Sequence, residues 1–318
     1  MKSVRRAVID VGTNSVKLLV ADVAGHEVQP VWEESHQTRL GKGFYETHRL
    51  QPDAIEATAR AVAQFEETAE KHQAGSIRVV ATSAARDAMN PNDLSSAIEA
   101  ASGLKMEIIS GEQEADWVFQ GVASDPELAR EPLLLLDVGG GSTEFIVGQG
   151  SDMLFRKSFP LGTVRLLEKN PLSDPPRKQE LARSREWIQE FLGKEVKPTL
   201  VHGLHELNKL QKGRPLVLVG TGGTTSILGR MEAKLEVYDR AQIEATRLSL
   251  ERMHYHIEHL WSLPLEERKQ IVGLPPNRAD VILMGVAIYE AVMETFGFSE
   301  LRISTRGLRF AAVMDREG

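Results

Sequence analysis

The chain has no cysteine. That removes disulfide frameworks, thiolate zinc sites, cysteine nucleophiles and thiol redox switching, and it suits a reducing cytoplasm. It has no basic excess either. Thirty-eight Lys and Arg stand against 45 Asp and Glu, a formal net charge of −7. A nucleic-acid binder needs a basic footprint, so neither DNA nor RNA is an expected partner. A local field can still oppose the net charge and receive a small anion. Long apolar runs are missing too. No stretch reaches the ~18 apolar residues of a spanning helix. The most apolar one, residues 281–296, is broken by Glu290 and Glu294. The basic start, Met1-Lys2-Ser3-Val4-Arg5-Arg6, runs straight into a strand-like segment and Asp10. Neither a signal peptide nor a membrane partner is therefore expected. Also absent are Gly-x-Gly-x-x-Gly, the P-loop with its Gly-Lys-Ser/Thr, and His-Glu-x-x-His.

What the 318 residues do contain is ordinary for a globular chain: 42% hydrophobic, 26% charged, 26 Gly and 14 Pro. At about 150 residues per domain, the length suggests two domains. Residues 7–20 and 134–147 resemble each other. Aligned on Asp10 and Asp137, both read Asp-Val-Gly. Both place a serine three residues beyond that glycine (Ser15, Ser142), and both close on a valine (Val20, Val147). Each is expected to be strand, Gly-rich turn, strand. Their separation is too long for a solenoid repeat and predicts a duplicated domain, each copy opening with the same hairpin.

Between the hairpins, residues 52–71 read as a helix. Ile55, Ala59, Val62, Ala63 and Phe65 recur at three-to-four spacing, with Glu66, Glu67 and Glu70 opposite. Strands are expected at 76–81 and 106–109, and a helix at 91–101. Another helix starts at Ser110, where Ser110-x-x-Gln113 is a capping-box pattern. In the second half, helices are expected at 177–195 and 247–260. A long one runs from Pro276 or Asn277 to Phe296, and a last one spans 308–314. Strands are expected at 215–219 and 302–304. Strands alternating with helices indicate an α/β fold.

Three Gly/Ser/Thr turns follow strands. They are Asp10-Val11-Gly12-Thr13-Asn14-Ser15, Asp137-Val138-Gly139-Gly140-Gly141-Ser142-Thr143, and Gly220-Thr221-Gly222-Gly223-Thr224-Thr225. A phosphate chain needs dense donors. Successive main-chain N–H groups in a glycine turn form a concave nest, and hydroxyls add to it. One such turn is as well explained by a tight hairpin; three of matched composition favour phosphate binding.

These residues carry a family resemblance. Two Asp-x-Gly hairpins and a third Gly-Thr-Gly-Gly segment resemble the actin/Hsp70/sugar-kinase superfamily. Within it, the three turns resemble the exopolyphosphatase/guanosine pentaphosphate phosphohydrolase (Ppx/GppA) family. So do the segments from Ala81 through Arg86 to Asn90, from Ile109 through Gln113-Glu114-Ala115, from Asp137 to Glu144, and Arg278-Ala279-Asp280. The resemblance covers essentially the whole chain, in the family's order. It implies two actin-like (ribonuclease H-like) α/β domains with an interdomain cleft. Residues 1–125 with 300–318 would form the first, and 126–299 the second, the C-terminal residues packing back on the first. It implies Mg²⁺-dependent hydrolysis of the terminal phosphoanhydride of polyphosphate or pppGpp in the cytoplasm. Residues Gly12–Ser15, Gly139–Thr143 and Gly220–Gly223 would bind substrate. A homodimer is compatible with family habit.

The resemblance matches Glu114 to the family's base, which orients and deprotonates the attacking water. An acid in the first helical turn also favours the helix dipole, and that alone would explain Glu112. Asp10 and Asp137, placed alike at strand ends, suit Mg²⁺ or the lytic water, since Mg²⁺ prefers hard oxygen ligands. A turn aspartate can instead bond its own loop. Glu144 joins the implied catalytic and metal carboxylates; without the resemblance it reads as an exposed strand position. Arg86 suits a phosphoryl oxygen, or an ion pair with Asp87 or another acid. Capping or a salt bridge explains Asp280, beside Arg278, as well as catalysis does. His254, His256 and His259 read as an exposed helix face. Arg177, Lys178, Arg183 and Arg185 read as a solvated face rather than a basic rim for a polyanion.

The chain departs from the family pattern in three places. Gln113 stands where the family often has a second Glu, and Phe310 follows Arg309 where an acid is common. The chain also stops where longer members continue into an all-helical domain, so short polyphosphate chains are the expected ones. Two other readings stay open: a small-molecule kinase with ATP at the Gly220 segment, and a non-enzymatic ppGpp-binding regulator or filament former. The hydrolase is favoured because Glu114, not an aspartate on a substrate loop, occupies the connecting motif.

Overall fold

The computed structural model describes residues 3–210 and 213–315. Its backbone contacts divide the chain into two compact units, residues 1–125 with 306–318, and residues 126–305.

The first unit opens with strands β1 (Val4–Val11), β2 (Val16–Ala24) and β3 (Glu27–His36). There follow α1 (Phe44–Thr47), α2 (Pro52–Lys71), β4 (Ile77–Ala81), α3 (Ser83–Asp87), α4 (Pro91–Ser102), β5 (Met106–Ile108) and α5 (Gly111–Ala123). The sheet order is β3-β2-β1-β4-β5. The first three strands form an antiparallel meander, whereas β4 pairs parallel with both β1 and β5. Ala7, Val8, Ile9 and Val11 of β1 are all buried. Such a continuous apolar run marks a strand covered on both faces. Helix α2 spans the expected residues with Pro52 in its first turn, where a missing N–H costs nothing, and buries Ile55, Ala59, Val62 and Phe65.

The second unit holds β6 (Leu133–Val138), β7 (Thr143–Gln149), β8 (Asp152–Phe159), α6 (Thr163–Lys169), α7 (Lys178–Phe191), α8 (Lys197–Leu210), β9 (Val217–Thr221) and α9 (Gly222–Glu232). It continues with α10 (Arg240–Ala245), β10 (Arg247–Ser249), α11 (Leu250–Ser262), α12 (Leu265–Arg268), α13 (Ile282–Phe296) and β11 (Glu300–Ile303). The order is β10-β11-β9-β6-β7-β8, with β6, β9 and β11 parallel. Strands β8-β7-β6-β9-β11 thus repeat β3-β2-β1-β4-β5 in sense and order. The duplication expected from Asp10 and Asp137 is structural: each aspartate closes the central strand of a ribonuclease H-like unit. Helix α13 is buried from Ile282 through Met293, and a helix apolar all round belongs in a core.

The expected domain boundary at 300 falls instead after Thr305. Strand β11 pairs with β9 and β10, which fixes 300–303 in the second sheet. The chain then returns to the first unit as α14 (Leu308–Met314), which packs on α5, β1 and β2. This is the expected return; residues 316–318 lie outside the described ones.

Four further expectations need correction. The helix read at 247–260 begins at Leu250, because Arg247–Ser249 is an edge strand and Ser249 Oγ caps Arg252 N–H. The long helix begins at Ile282; Pro276–Arg278 is a separate 3₁₀ turn. The helix at 177–195 is α7, which passes through a π turn at Leu192–Val196 directly into α8. The charged faces are not all solvated. Arg185 grips both oxygens of the buried Glu290, at 2.7 and 2.6 Å, while Arg177, Lys178 and Arg183 stay exposed. His256 is buried against Glu232 at 2.6 Å, with His254 and His259 partly exposed.

Burial pushes the His256 imidazole below its ordinary range, although Glu232 pulls the other way and Arg252 and His259 add to the lowering. Unfolded, a histidine titrates near ~6.5. Between the two values the unfolded chain binds the extra proton, so stability is present above about pH 6.5 and is lost as pH falls below it. His256→Gln keeps a donor for Glu232 and does not titrate. Urea midpoints measured from about pH 7.5 to about pH 5.5 should fall less steeply for the variant than for the parent chain.

Candidate functional site

In the first unit the chain leaves β1 through Gly12-Thr13-Asn14-Ser15. Gly12 N–H donates to Ser15 O at 3.0 Å. The carbonyls of Thr13 and Asn14 accept from the N–H groups of Gly41 (2.7 Å) and Arg39 (3.1 Å). No hydrogen bond among the described residues engages the N–H groups of Thr13 or Asn14. Asn14 Nδ2, Ser15 Oγ and Ser83 Oγ are buried without a partner. Buried orphan donors are costly unless something meets them. A small anion fits this set.

The ends of β4 and β5 lie beside that turn. Thr82 N–H donates to Val11 O at 3.2 Å, and Ile109 N–H to Ala81 O at 3.1 Å. Helices α3 and α5 start directly after these ends, and carboxyl ends of parallel strands are where open α/β sheets bind ligands. Ser110 Oγ takes Gln113 N–H, as the capping pattern predicts. The two helices bring Arg86 and Glu114 together, Nη1 to Oε2 at 2.9 Å, and Arg86 also donates to Ile109 O at 3.3 Å. Asp87 lies farther from Arg86, at 3.8 Å. Glu114 is 9% exposed, whereas Glu112 is exposed. Burial separates the two glutamates that helix position alone could not.

Asp10 is half-buried, and burial pushes its carboxyl up against the pull of Lys17 and Arg309. Lys17 is its register partner across β1 and β2. Arg309 is anchored on Leu18 O at 2.6 Å and Glu33 at 3.2 Å. Lys17 escaped the sequence reading. The signal that finds it is the hairpin register: Lys17 stands opposite Asp10 where Glu144 stands opposite Asp137.

The second unit repeats the turn. Gly139 N–H donates to Ser142 O at 2.9 Å. Here the N-terminus of α6 ties the carbonyls back. Thr163 N–H bonds Gly139 O at 3.0 Å. Val164 and Arg165 N–H bond Gly140 O at 2.9 and 3.1 Å, and Arg165 Nε bonds Gly141 O at 2.8 Å. The N–H groups of Gly140 and Gly141 enter no hydrogen bond among the described residues. Glu144 is buried, and its Oε1 accepts from Ser142 (3.0 Å) and Ser158 (2.7 Å). It is not the exposed strand position that its place in the sequence suggests.

The third motif is not a turn. Strand β9 runs to Thr221 and α9 begins at Gly222, so Gly222 and Gly223 form a helix N-terminus, where N–H groups point outward. Thr221 is the parallel register partner of Asp137. Gly222 has φ +85, and any Cβ there would run into Asp137 Oδ1. Thr224 Oγ1 donates to Val138 O at 3.2 Å. The second and third motifs therefore meet at Asp137.

Asp280 Oδ1 accepts from Val281 N–H at 2.8 Å, just ahead of α13. Among the described residues, one group of three possible metal-ligating side chains is His254, Glu290 and Glu294; Glu290 is already held by Arg185. A cavity of about 700 Å³ between α2 and α4 is lined by Leu50, Ile55, Ala59, Asn90 and Ala97 and includes no predicted site residue. No helix among the described residues is long and apolar enough to cross a membrane.

Residues 19–317 match the model of the Ppx/GppA phosphatase family. Exopolyphosphatase 2 of Mycobacterium tuberculosis is 33% identical over 318 residues, covering 96% of each chain. Among solved structures, the Aquifex aeolicus member of the Ppx/GppA family is 29% identical with a TM-score of 0.76, over 98% of this chain and 97% of that one. An exopolyphosphatase from Cytophaga hutchinsonii is 26% identical with a TM-score of 0.83, over 96% of each chain.

A Cβ on Gly162 would overlap the main chain of Gly140 and Gly141. Gly162→Ala must displace the turn or the start of α6, and overpacking of this kind typically costs about 1–3 kcal/mol. Equilibrium urea unfolding should show that loss.

Proposed function

Because the chain belongs to the Ppx/GppA phosphatase family, we propose that it is a Mg²⁺-dependent phosphohydrolase that removes the terminal phosphate of inorganic polyphosphate, of pppGpp, or of both. The observation that carries this reading is the pair of buried Glu114 and half-buried Arg86 beside the donor-rich first turn. A hydrolase needs one general base and a set of fixed positive charges and dipoles, since phosphoryl transfer depends on positioning and charge stabilisation. The relatives whose names specify polyphosphate support that substrate.

In this reading the N–H groups of Thr13 and Asn14 in the first unit receive phosphate oxygens, and in the second unit Gly140, Gly141 and the start of α9 offer a similar set of donors. Glu114 orients a water and takes its proton as the water oxygen attacks the terminal phosphorus. The bond from that phosphorus to the bridging oxygen breaks, releasing orthophosphate and a chain shorter by one phosphate. Arg86 stands within reach of the base and neutralises charge on the transferred group. Mg²⁺, when bound, offsets charge on the phosphate oxygens. Asp137 would hold it, with Glu144 behind, because their donors are hard oxygens. Asp10 suits a cation less well, since Lys17 and Arg309 already face it.

Phosphate release at fixed Mg²⁺ should be compared for tripolyphosphate, long-chain polyphosphate and pppGpp. The parent chain should release phosphate from at least one. Glu114→Gln should lower that rate by roughly 10²–10⁴-fold. The ratio among substrates names the activity. No release from any of the three by the parent chain sinks the reading and leaves nucleotide binding or a kinase to be tested.

A further inference from the structure

Tyr289 is fully buried in the middle of α13. A phenylalanine would fill that space equally well. The hydroxyl must be desolvated, and only its hydrogen bonds offset that cost. All of those bonds fall around one strand end. The hydroxyl donates to Leu136 O at 3.4 Å, with the main chain of Val138 and the side chain of Thr225 beside its oxygen; the Thr225 hydroxyl itself donates to Gly222 O at 3.4 Å. Leu136 and Val138 are the residues on either side of Asp137. The space is made by Gly220, where a Cβ would sit 2.9 Å from the Tyr289 hydroxyl and would overlap Thr225.

We propose that Tyr289 is a positioning residue, whose hydroxyl clamps the peptide groups flanking Asp137 and so sets the direction of that carboxylate against Gly222. The inference rests on the phosphohydrolase reading for its consequence, but its geometry belongs to the second unit alone. Strand β6 ends here, and beyond Asp137 the β9 neighbour gives way to α9, so the ladder has nothing further to offer Val138 on that side. The phenol supplies a donor and an acceptor at the place where the next strand residue would have stood. Burial, helped by the nearby Asp137 and Glu144 carboxylates, pushes the phenol far up, so it stays a neutral donor at any working pH. The geometry makes the hydroxyl, not the ring, the functional part. Asp137 itself keeps its identity and exposure in a variant that lacks only that oxygen.

Tyr289→Phe removes the hydroxyl and keeps the ring. The expected result is a fall of about tenfold in kcat, with the substrate KM within about twofold of the parent and a higher Mg²⁺ concentration needed for half-maximal rate. Hydrogen–deuterium exchange should quicken across residues 136–141 and stay unchanged in the first unit. Thr225→Val, which removes the polar group beside the same hydroxyl, should show a smaller shift in the same direction. Parent-like kcat and exchange in Tyr289→Phe overturn the proposal. So does faster exchange spread over the whole second unit, which would make the tyrosine a packing residue. If the parent chain releases no phosphate, the phosphohydrolase reading fails, and the exchange difference alone then decides whether the clamp exists.

Discussion

Both units depend on a turn whose carbonyl oxygens are already taken. A main-chain carbonyl buried without a donor is costly, so a glycine turn at a strand end must be tied to something. In the first unit the ties come from Arg39 and Gly41; in the second they come from Thr163, Val164 and Arg165. The tying segments are unrelated, yet the result is the same. The oxygens face protein, and the N–H groups of Thr13, Asn14, Gly140 and Gly141 enter no hydrogen bond among the described residues. Gly162 shows how close the second tie is, since no side chain fits between α6 and the turn.

The copies differ in charge. Opposite Asp10 the first hairpin places Lys17, and α14 adds Arg309. Opposite Asp137 the second hairpin places Glu144, held by two serine hydroxyls. One duplicated framework thus carries a carboxylate among cations and a carboxylate beside another carboxylate. The first suits an anion, and the second suits a cation. Opposite-charge neighbours favour the charged form of a group, and a paired acid needs hydroxyl donors or a metal to remain in place.

Much of this was legible along the chain. Asp10 and Asp137 could be aligned because a tight turn after a strand restricts which residues follow it, and the strands and helices between them could be read from periodicity. The C-terminal return to the first unit was legible from the resemblance. Other features were not. Strand β10 was hidden because Arg247-Leu248-Ser249 is too short to show alternation and is a strand only because β11 lies beside it. The same pairing moved the domain boundary past 300. Arg185 and His256 carry polar side chains on helices whose exposed faces look alike in sequence; what turned them inward was Glu290 and Glu232 on neighbouring elements.

The sequence by itself determined the α/β class, the duplicated hairpins and the three glycine-rich segments. These follow from local rules, in which near neighbours along the chain decide the backbone; Glu114 and Arg86 were singled out by the family resemblance. Only the tertiary structure decided that Glu114 rather than Glu112 is buried, and that Arg86 is its partner. It also decided that the third motif is a helix start against Asp137, that Gly162 lies against the second turn, and that Tyr289 is buried beside Leu136. Each of those depends on a residue far away in sequence, and strand register and helix packing alone bring such residues together.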